Sequence, residues 1–224
     1  MNLANKTILL TGATGGIGSL LTSKLTAAKA NLITLGRDPN KPASYHTDLA
    51  NPTSRQELIK QILSDYPSLD IIIHAAGIGI YKSLVDLTSE DWYQSYELNV
   101  FAPLFLAQQL HPQLNLVLGS CSAFQHTPER SLYNSTKAAL RALTLCLAQE
   151  QPGHFVHLAL DSTLTAFGPL TLAQKQAKQK DGKIYLDPSW VSDQIISILQ
   201  NDSRDTEYVL SPDCYPECGT WHKP

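Results

Sequence analysis

The sequence predicts a doubly wound α/β fold: a mostly parallel, seven-stranded sheet with helices on both faces. Three observations carry the prediction. Short β-branched or aliphatic runs alternate with longer helical patterns along the 224 residues. Most of these runs are apolar throughout instead of alternating, as strands covered on both faces must be. A glycine-rich turn closes the first run and opens the first helical pattern.

The seven runs are Thr7–Thr11, Asn31–Leu35, a weaker Ser44–Asp48, Asp70–Ala75, Leu114–Gly119, His154–Leu160 and Glu207–Leu210. Helical patterns fill about 16–29, 52–65, 88–111, 131–151 and 188–200. Residues 161–187 and the tail from Ser211 are the least regular, and neither resembles an interdomain linker. Residues 1–224 are therefore expected to form a single domain, long enough to bury one large core.

Composition narrows the class. Hydrophobic residues make up 43% and charged residues 17%. The charged share lies below the roughly 25% of typical soluble domains, which argues against disorder and hints at apolar surface covered by another subunit. The net charge of −3 (17 Lys+Arg, 20 Asp+Glu) gives no electrostatics for nucleic acid. Four cysteines do not make a disulfide scaffold. The start, MNLANKTILLTG, lacks a basic region followed by a long apolar stretch, and no apolar run approaches the ~18 residues of a membrane span. A soluble cytoplasmic protein without membrane association is expected.

The glycine turn reads Thr11-Gly12-Ala13-Thr14-Gly15-Gly16-Ile17-Gly18. Glycines at 12, 16 and 18 permit a tight turn, close approach to a pyrophosphate and close helix–strand packing, while the helix N-terminus offers unpaired N–H groups to phosphate. The second strand ends Leu35-Gly36-Arg37. A carboxylate there would bind the ribose 2′-OH of NAD; an arginine fork matches a 2′-phosphate in charge and geometry. NADP is favoured, with NAD the alternative. A solvated turn Arg37, neutralised by Asp38, is the competing reading.

The strongest chemical signal is Tyr133-Asn134-Ser135-Thr136-Lys137. Residues four apart share a helix face, so Tyr133 and Lys137 point to one site. An ordinary tyrosine pKa of about 10 is too high for acid–base work at neutral pH, and a nearby ammonium together with the positive nicotinamide of an oxidised cofactor would lower it. Ser120 ends the fifth strand, thirteen residues before Tyr133, with Ser122 competing for its role. Asn99 is a polar residue within an apolar helical face, costly unless bonded.

The Gly-x-x-x-Gly-x-Gly spacing, followed in order by these downstream residues, resembles the compact single-domain branch of the short-chain dehydrogenase/reductase family over roughly Lys6 to Leu210. The resemblance implies a Rossmann-like fold, a homodimer or homotetramer built on the 88–111 and 131–151 helices, and a mobile substrate lid within 161–187. It implies that Gly12, Thr14, Gly15, Gly16, Ile17, Gly18 and Arg37 bind the cofactor, with Asp48-Leu49 at the adenine and Ala75-Ala76-Gly77 at the adenosine ribose. It assigns Ser120 to the substrate oxygen, Tyr133 to proton transfer, Lys137 to the tyrosine pKa and the nicotinamide ribose, and Asn99 to a kinked helix and a water relay. The implied reaction moves a hydride between a nicotinamide cofactor and a small carbonyl or alcohol substrate. An NADP(H)-binding sensor with weak or no catalysis is the alternative.

The chain departs from the family in two places. His74-Ala75-Ala76-Gly77 lacks the two usual asparagines, and Asp161-Ser162-Thr163 stands where Pro-Gly and a nearby Thr are frequent. Thr163 or Thr165 is left to contact the carboxamide or a phosphate. Elsewhere, Lys175, Lys178, Lys180 and Lys183 read as a solvated basic helix. Cys146 reads as core. Cys214, Cys218 and His222 read as tail residues and not as a metal site, so no metal is expected.

Overall fold

The computed structural model describes residues 1–151 and 153–212. Strands β1 (Thr7–Thr11), β2 (Asn31–Gly36), β3 (Tyr45–His46), β4 (Ile71–His74), β5 (Leu114–Leu118), β6 (Phe155–Leu160) and β7 (Glu207–Leu210) form one sheet in the order β3-β2-β1-β4-β5-β6-β7. Every pairing is parallel. The chain runs outward from β1 to β3, then returns to β1 and builds away on the other side. This reversal creates a crevice beyond the carboxyl ends of β1 and β4, the switch point where such sheets take nucleotides.

The helices are α1 (Gly16–Ala27), α2 (Pro52–Asp65), α3 (Ser89–Tyr96), α4 (Ala102–Leu110), α5 (Ser131–Glu150), α6 (Leu172–Lys180) and α7 (Pro188–Gln200). Strand alternation divides the core between the two faces of the sheet. Ile8 and Leu10 of β1 and Ile71 and Ile73 of β4 pack with Leu21 and Leu25 of α1 and Val191 and Ile195 of α7. Leu9, Ile33, Leu35 and Ile72 face Leu58 and Ile62 of α2 and Leu106 of α4. Burying a side chain of this size contributes about 1.5–3 kcal/mol, so the two layers fix the sheet firmly under the crevice.

Local signals set the helix starts. Asn51 caps α2 by accepting from the Ser54 N–H, with Pro52 in its first turn. Thr88 with Asp91, and Thr171 with Gln174, form capping boxes on α3 and α6. The expected 88–111 helix is interrupted by a π-helical turn over Glu97–Phe101, with Asn99 at its centre. Cys146, expected in the core, is exposed on α5. Cys214, Cys218 and His222 lie outside the described residues.

Candidate active site

The glycine turn has the shape that the sequence predicted. Gly12 takes φ +67°, and a Cβ there would stand 2.8 Å from the Ala75 carbonyl oxygen. A Cβ on Gly18 would lie 2.1 Å from the Gly12 carbonyl oxygen, so α1 enters the turn at a distance only glycine allows. Gly15 caps α1 without a side-chain hydrogen bond, and no acidic residue occupies the first turn. The N–H groups and dipole of that end are thus arranged for an anion. Beside it, the Thr11 hydroxyl accepts from the Ala75 and Ala76 N–H groups, both at 3.1 Å, which ties the end of β4 to the end of β1.

At the end of β2, Arg37 is exposed and makes no ion pair among the described residues. Asp38 does not neutralise it: its carboxylate accepts from the Asn40 backbone and side chain at 3.0 and 3.1 Å. Gly36 lies against the Thr14 side chain, so this strand end borders the glycine turn. Asp48 is exposed and accepts from the Ala50 N–H, while Leu49 is buried. Asp48 is not the cap of α2, which is Asn51.

A cavity of about 750 Å³ opens over the carboxyl ends of the strands. Of the residues predicted for the site, Ile17, Ala75, Ala76, Gly77, Ser120, Tyr133, Lys137 and Thr163 line it. Tyr133 rises from the first turn of α5 into the same cavity as the side chain of Ser120 at the end of β5, which favours its phenolate. Ser120 also accepts from the Ser122 N–H at 3.1 Å, and Ser122 lines the same cavity. Lys137, one turn along α5, lies 5.8 Å from the Tyr133 ring centre and donates to the Leu118 carbonyl at 3.3 Å. All three predicted side chains are buried.

Asn99 stands behind the cavity and does not line it. Its side-chain oxygen accepts from the Ile78 N–H at 2.8 Å; its amide donates to the Ile78 carbonyl at 2.9 Å and the Thr136 hydroxyl at 3.1 Å. The π turn is what places this side chain against the strand-end loop. Gly77, next to Ile78, lies beside both Asn99 and Lys137.

Burial pushes the Tyr133 hydroxyl above its ordinary value, outweighing the opposing effects of the Ser120 side chain and the charge of Arg130. The same burial lowers Lys137 to about 8. The His74 ring donates from Nε2 to the Asn115 side-chain oxygen at 3.0 Å and is lowered to about 4 by burial, so it is a neutral strand-end histidine.

Thr163 and Thr165, the two threonines that the sequence offered, both line the cavity: Thr165 lies against Gly16 at the head of α1, and the Thr163 hydroxyl donates to the Asp161 carbonyl. Two features were not legible beforehand. Lys175, read as solvated, is buried and donates to the Thr163 and Phe167 carbonyls at 3.3 and 2.7 Å, pinning α6 over the site. Tyr81 and Phe167 flank Tyr133 with ring centres 5.3 and 6.1 Å away. No pattern in the sequence marked these two aromatics.

The model of the short chain dehydrogenase family matches residues 6–160, more than half of the chain. The chain belongs to that family. It is an NAD(P)-dependent dehydrogenase/reductase with a nicotinamide cofactor and a small-molecule substrate. A relative from Staphylococcus epidermidis, described as an uncharacterized oxidoreductase, is 26% identical over 65% of this chain and 71% of its own. One from Staphylococcus aureus strain MW2, described likewise, is 25% identical over 90% of this chain and 94% of its own. Among solved structures, a short-chain dehydrogenase from Burkholderia cenocepacia in complex with NADP superposes with TM-score 0.82 at 24% identity, covering 94% and 98% of the two chains. A 4-hydroxyisoleucine dehydrogenase complexed with NADH gives 0.82 at 21%, covering 92% and 97%. These two likenesses concern the fold. No helix among the described residues is long and apolar enough to cross a membrane.

Proposed function

We propose that this chain is an NADP-preferring oxidoreductase that interconverts a carbonyl and an alcohol, with Tyr133 as the acid/base. The observation that carries the reading is that Ser120, Tyr133 and Lys137 share one cavity, which reaches Ile17 at the head of α1. The residues present fit a dinucleotide: the glycine turn at the switch point is open to an anion, and the Gly12–Gly18 contact leaves no room for larger side chains. Gly12, Thr14, Gly15, Gly16, Ile17 and Gly18 would hold the pyrophosphate side, Arg37 a 2′-phosphate, Asp48 and Leu49 the adenine, and Ala75, Ala76 and Gly77 its ribose. Thr163 would hold the carboxamide side. When bound, the cofactor supplies or accepts the hydride.

The chain's own residues do the rest. The Ser120 hydroxyl orients the substrate oxygen toward Tyr133. In reduction, the Tyr133 hydroxyl gives its proton to that oxygen as the carbonyl carbon gains hydride; in oxidation, the phenolate takes the alcohol proton. Lys137, when protonated, favours that phenolate and offers donors to the nicotinamide ribose. Asn99 locks the Ile78 backbone and Thr136 together, which holds the wall beside Lys137 and supports the site through which a water would return the proton.

The residues 161–187 act as the lid of a single catalytic domain, pinned by Lys175. Exposed Tyr93 and Phe101 on the α3–α4 segment and Leu143 on α5 support a homodimer or homotetramer formed on those helices. A cytoplasmic location goes with the same reading.

The test is NADPH oxidation over a panel of aldehydes, ketones and quinones, with NADPH binding measured separately. Wild type should turn over at least one member. Tyr133→Phe should lose at least about a hundredfold in turnover while keeping its affinity for NADPH. Binding without any turnover, with a response indifferent to Tyr133→Phe, would replace the enzyme with a nucleotide-dependent sensor.

A further inference from the structure

The cavity has a charge opposite to that of the chain. The whole protein is net −3, yet the cavity is lined by Arg130, Lys137, Lys175, Lys178 and Lys183 against two carboxylates, Asp161 and Asp181. Two of these cations are already explained. Lys137 is the buried partner of Tyr133, and Lys175 spends its ammonium on two backbone carbonyls. Arg130, Lys178 and Lys183 have no ion pair among the described residues.

Arg130 is the best placed of the three. It precedes α5 as its cap residue, three positions before Tyr133, and is half-buried. Its guanidinium carbon lies 5.4 Å from the centre of the Tyr81 ring, and that ring centre is 5.3 Å from the Tyr133 ring centre. The guanidinium is thus held one aromatic ring away from the proposed acid/base. Its fork of donors, stacked on a ring, is pre-oriented for a planar carboxylate. Phe167, on the other side of Tyr133, adds apolar wall.

We propose that the substrate is an anionic carbonyl or alcohol compound: a carboxylate separated from the reacting carbon by an apolar spacer about as wide as one aromatic ring. Arg130 anchors the carboxylate, Tyr81 and Phe167 flank the spacer, and Lys178 and Lys183 at the exposed α6 end attract the charge. This rests on the proposed hydride-transfer function and gives its substrate class. The carboxylate is a spectator; the bonds made and broken are those of the carbonyl/alcohol step already described.

The matched probes are 4-carboxybenzaldehyde and 4-methylbenzaldehyde, compared as kcat/KM with NADPH in wild type, Arg130→Gln and Arg130→Lys. Wild type should prefer the carboxylate at least about tenfold, as one charge-assisted bidentate contact supplies. Arg130→Gln should erase most of that preference, Arg130→Lys should restore part of it, and added salt should shrink it. A wild-type preference for the methyl compound, or a carboxylate preference untouched in Arg130→Gln with an unchanged melting temperature, overturns the proposal while leaving the hydride-transfer reading intact. If neither aldehyde turns over, calorimetric titration of NADPH-loaded protein with 4-(hydroxymethyl)benzoate decides. Binding that is lost in Arg130→Gln upholds the anion site and counts against hydride transfer alone; absence of binding in wild type overturns the site.

Discussion

Lys137 is a burden on the fold that its proposed chemistry would justify, and this can be measured. Burial lowers its ammonium from 10.5 to about 8. Each pKa unit corresponds to 1.36 kcal/mol, so the charged side chain costs the folded state about 3 kcal/mol at pH 7. Its bond to the Leu118 carbonyl, 3.3 Å long, returns about 1 kcal/mol. Replacement by methionine keeps the aliphatic stem, removes the charge and forfeits that bond. Lys137→Met, stripped of nucleotide, should therefore be more stable than wild type at pH 7 by about 2 kcal/mol, or about 4–8 °C in melting temperature for a chain of this size. The sign of the pH effect is fixed by linkage. Between pH 8 and 10.5 the unfolded lysine binds more proton than the folded one, so wild-type stability rises with pH while the variant lacks that rise. The stability gap should shrink to less than about 1 kcal/mol at pH 9.5. Lys175, also lowered by burial, acts equally in both proteins and drops out of the difference. The raised Tyr133 works in the opposite sense above pH 10, so the comparison stays below it. Thermal melts at pH 7 and 9.5, paired with turnover, make the test. A variant that melts at or below wild type at pH 7, or a gap indifferent to pH, would refute the burial account; retained turnover would refute the proposed role.

Arg37→Glu should weaken NADPH binding by roughly tenfold to a hundredfold, the worth of one charged hydrogen bond, and leave NADH binding nearly unchanged by fluorescence titration. Gly119→Ala places a Cβ 2.0 Å from the Nε2 atom of fully buried His157 and should cost about 1–3 kcal/mol in denaturant unfolding; His157→Ala in the same chain should recover part of it. Glu207, which accepts from Arg141 at 2.7 and 2.8 Å and contacts His157 at 3.0 Å, is held below the usual carboxylate range by those partners. Its stabilisation is present above pH 4.5 and lost as pH falls through the lower folded value, so Glu207→Gln should be less stable at pH 7 and should show a flatter loss of stability below pH 4.5.

The sheet was legible because its signals are local and redundant. Most strands are nearly continuous apolar runs, and Gly12, Gly16 and Gly18 mark a turn that must be tight. The predicted strand ends at Ala75 and Gly119 each run one residue long, since the chain leaves the ladder there to reach the cavity. The Tyr133–Lys137 pairing follows from helix period alone, and Ser120 meets Tyr133 because β5 and α5 are consecutive. Asn99 was legible as an expensive polar residue, but its partner was not: Ile78 lies 21 positions away, and only a π turn brings the two into register.

What stayed illegible depends on contacts across the sheet top. Lys175 looks like its neighbours Lys178 and Lys180 in sequence, since all three sit in a Gln-rich helix with no apolar stripe. It is singled out by one capping box, which sets the rotation of α6 and turns Lys175 alone inward onto the Thr163 and Phe167 carbonyls. The Thr163 carbonyl belongs to the segment where Pro and Gly are missing from the family pattern, and the Phe167 carbonyl lies just beyond it. A lysine that satisfies them holds the loop in place from above, where a proline would have stiffened it from within. The departure that looked like a defect in the sequence is accompanied in the structure by its own restraint, and the cofactor side of the cavity keeps a defined wall.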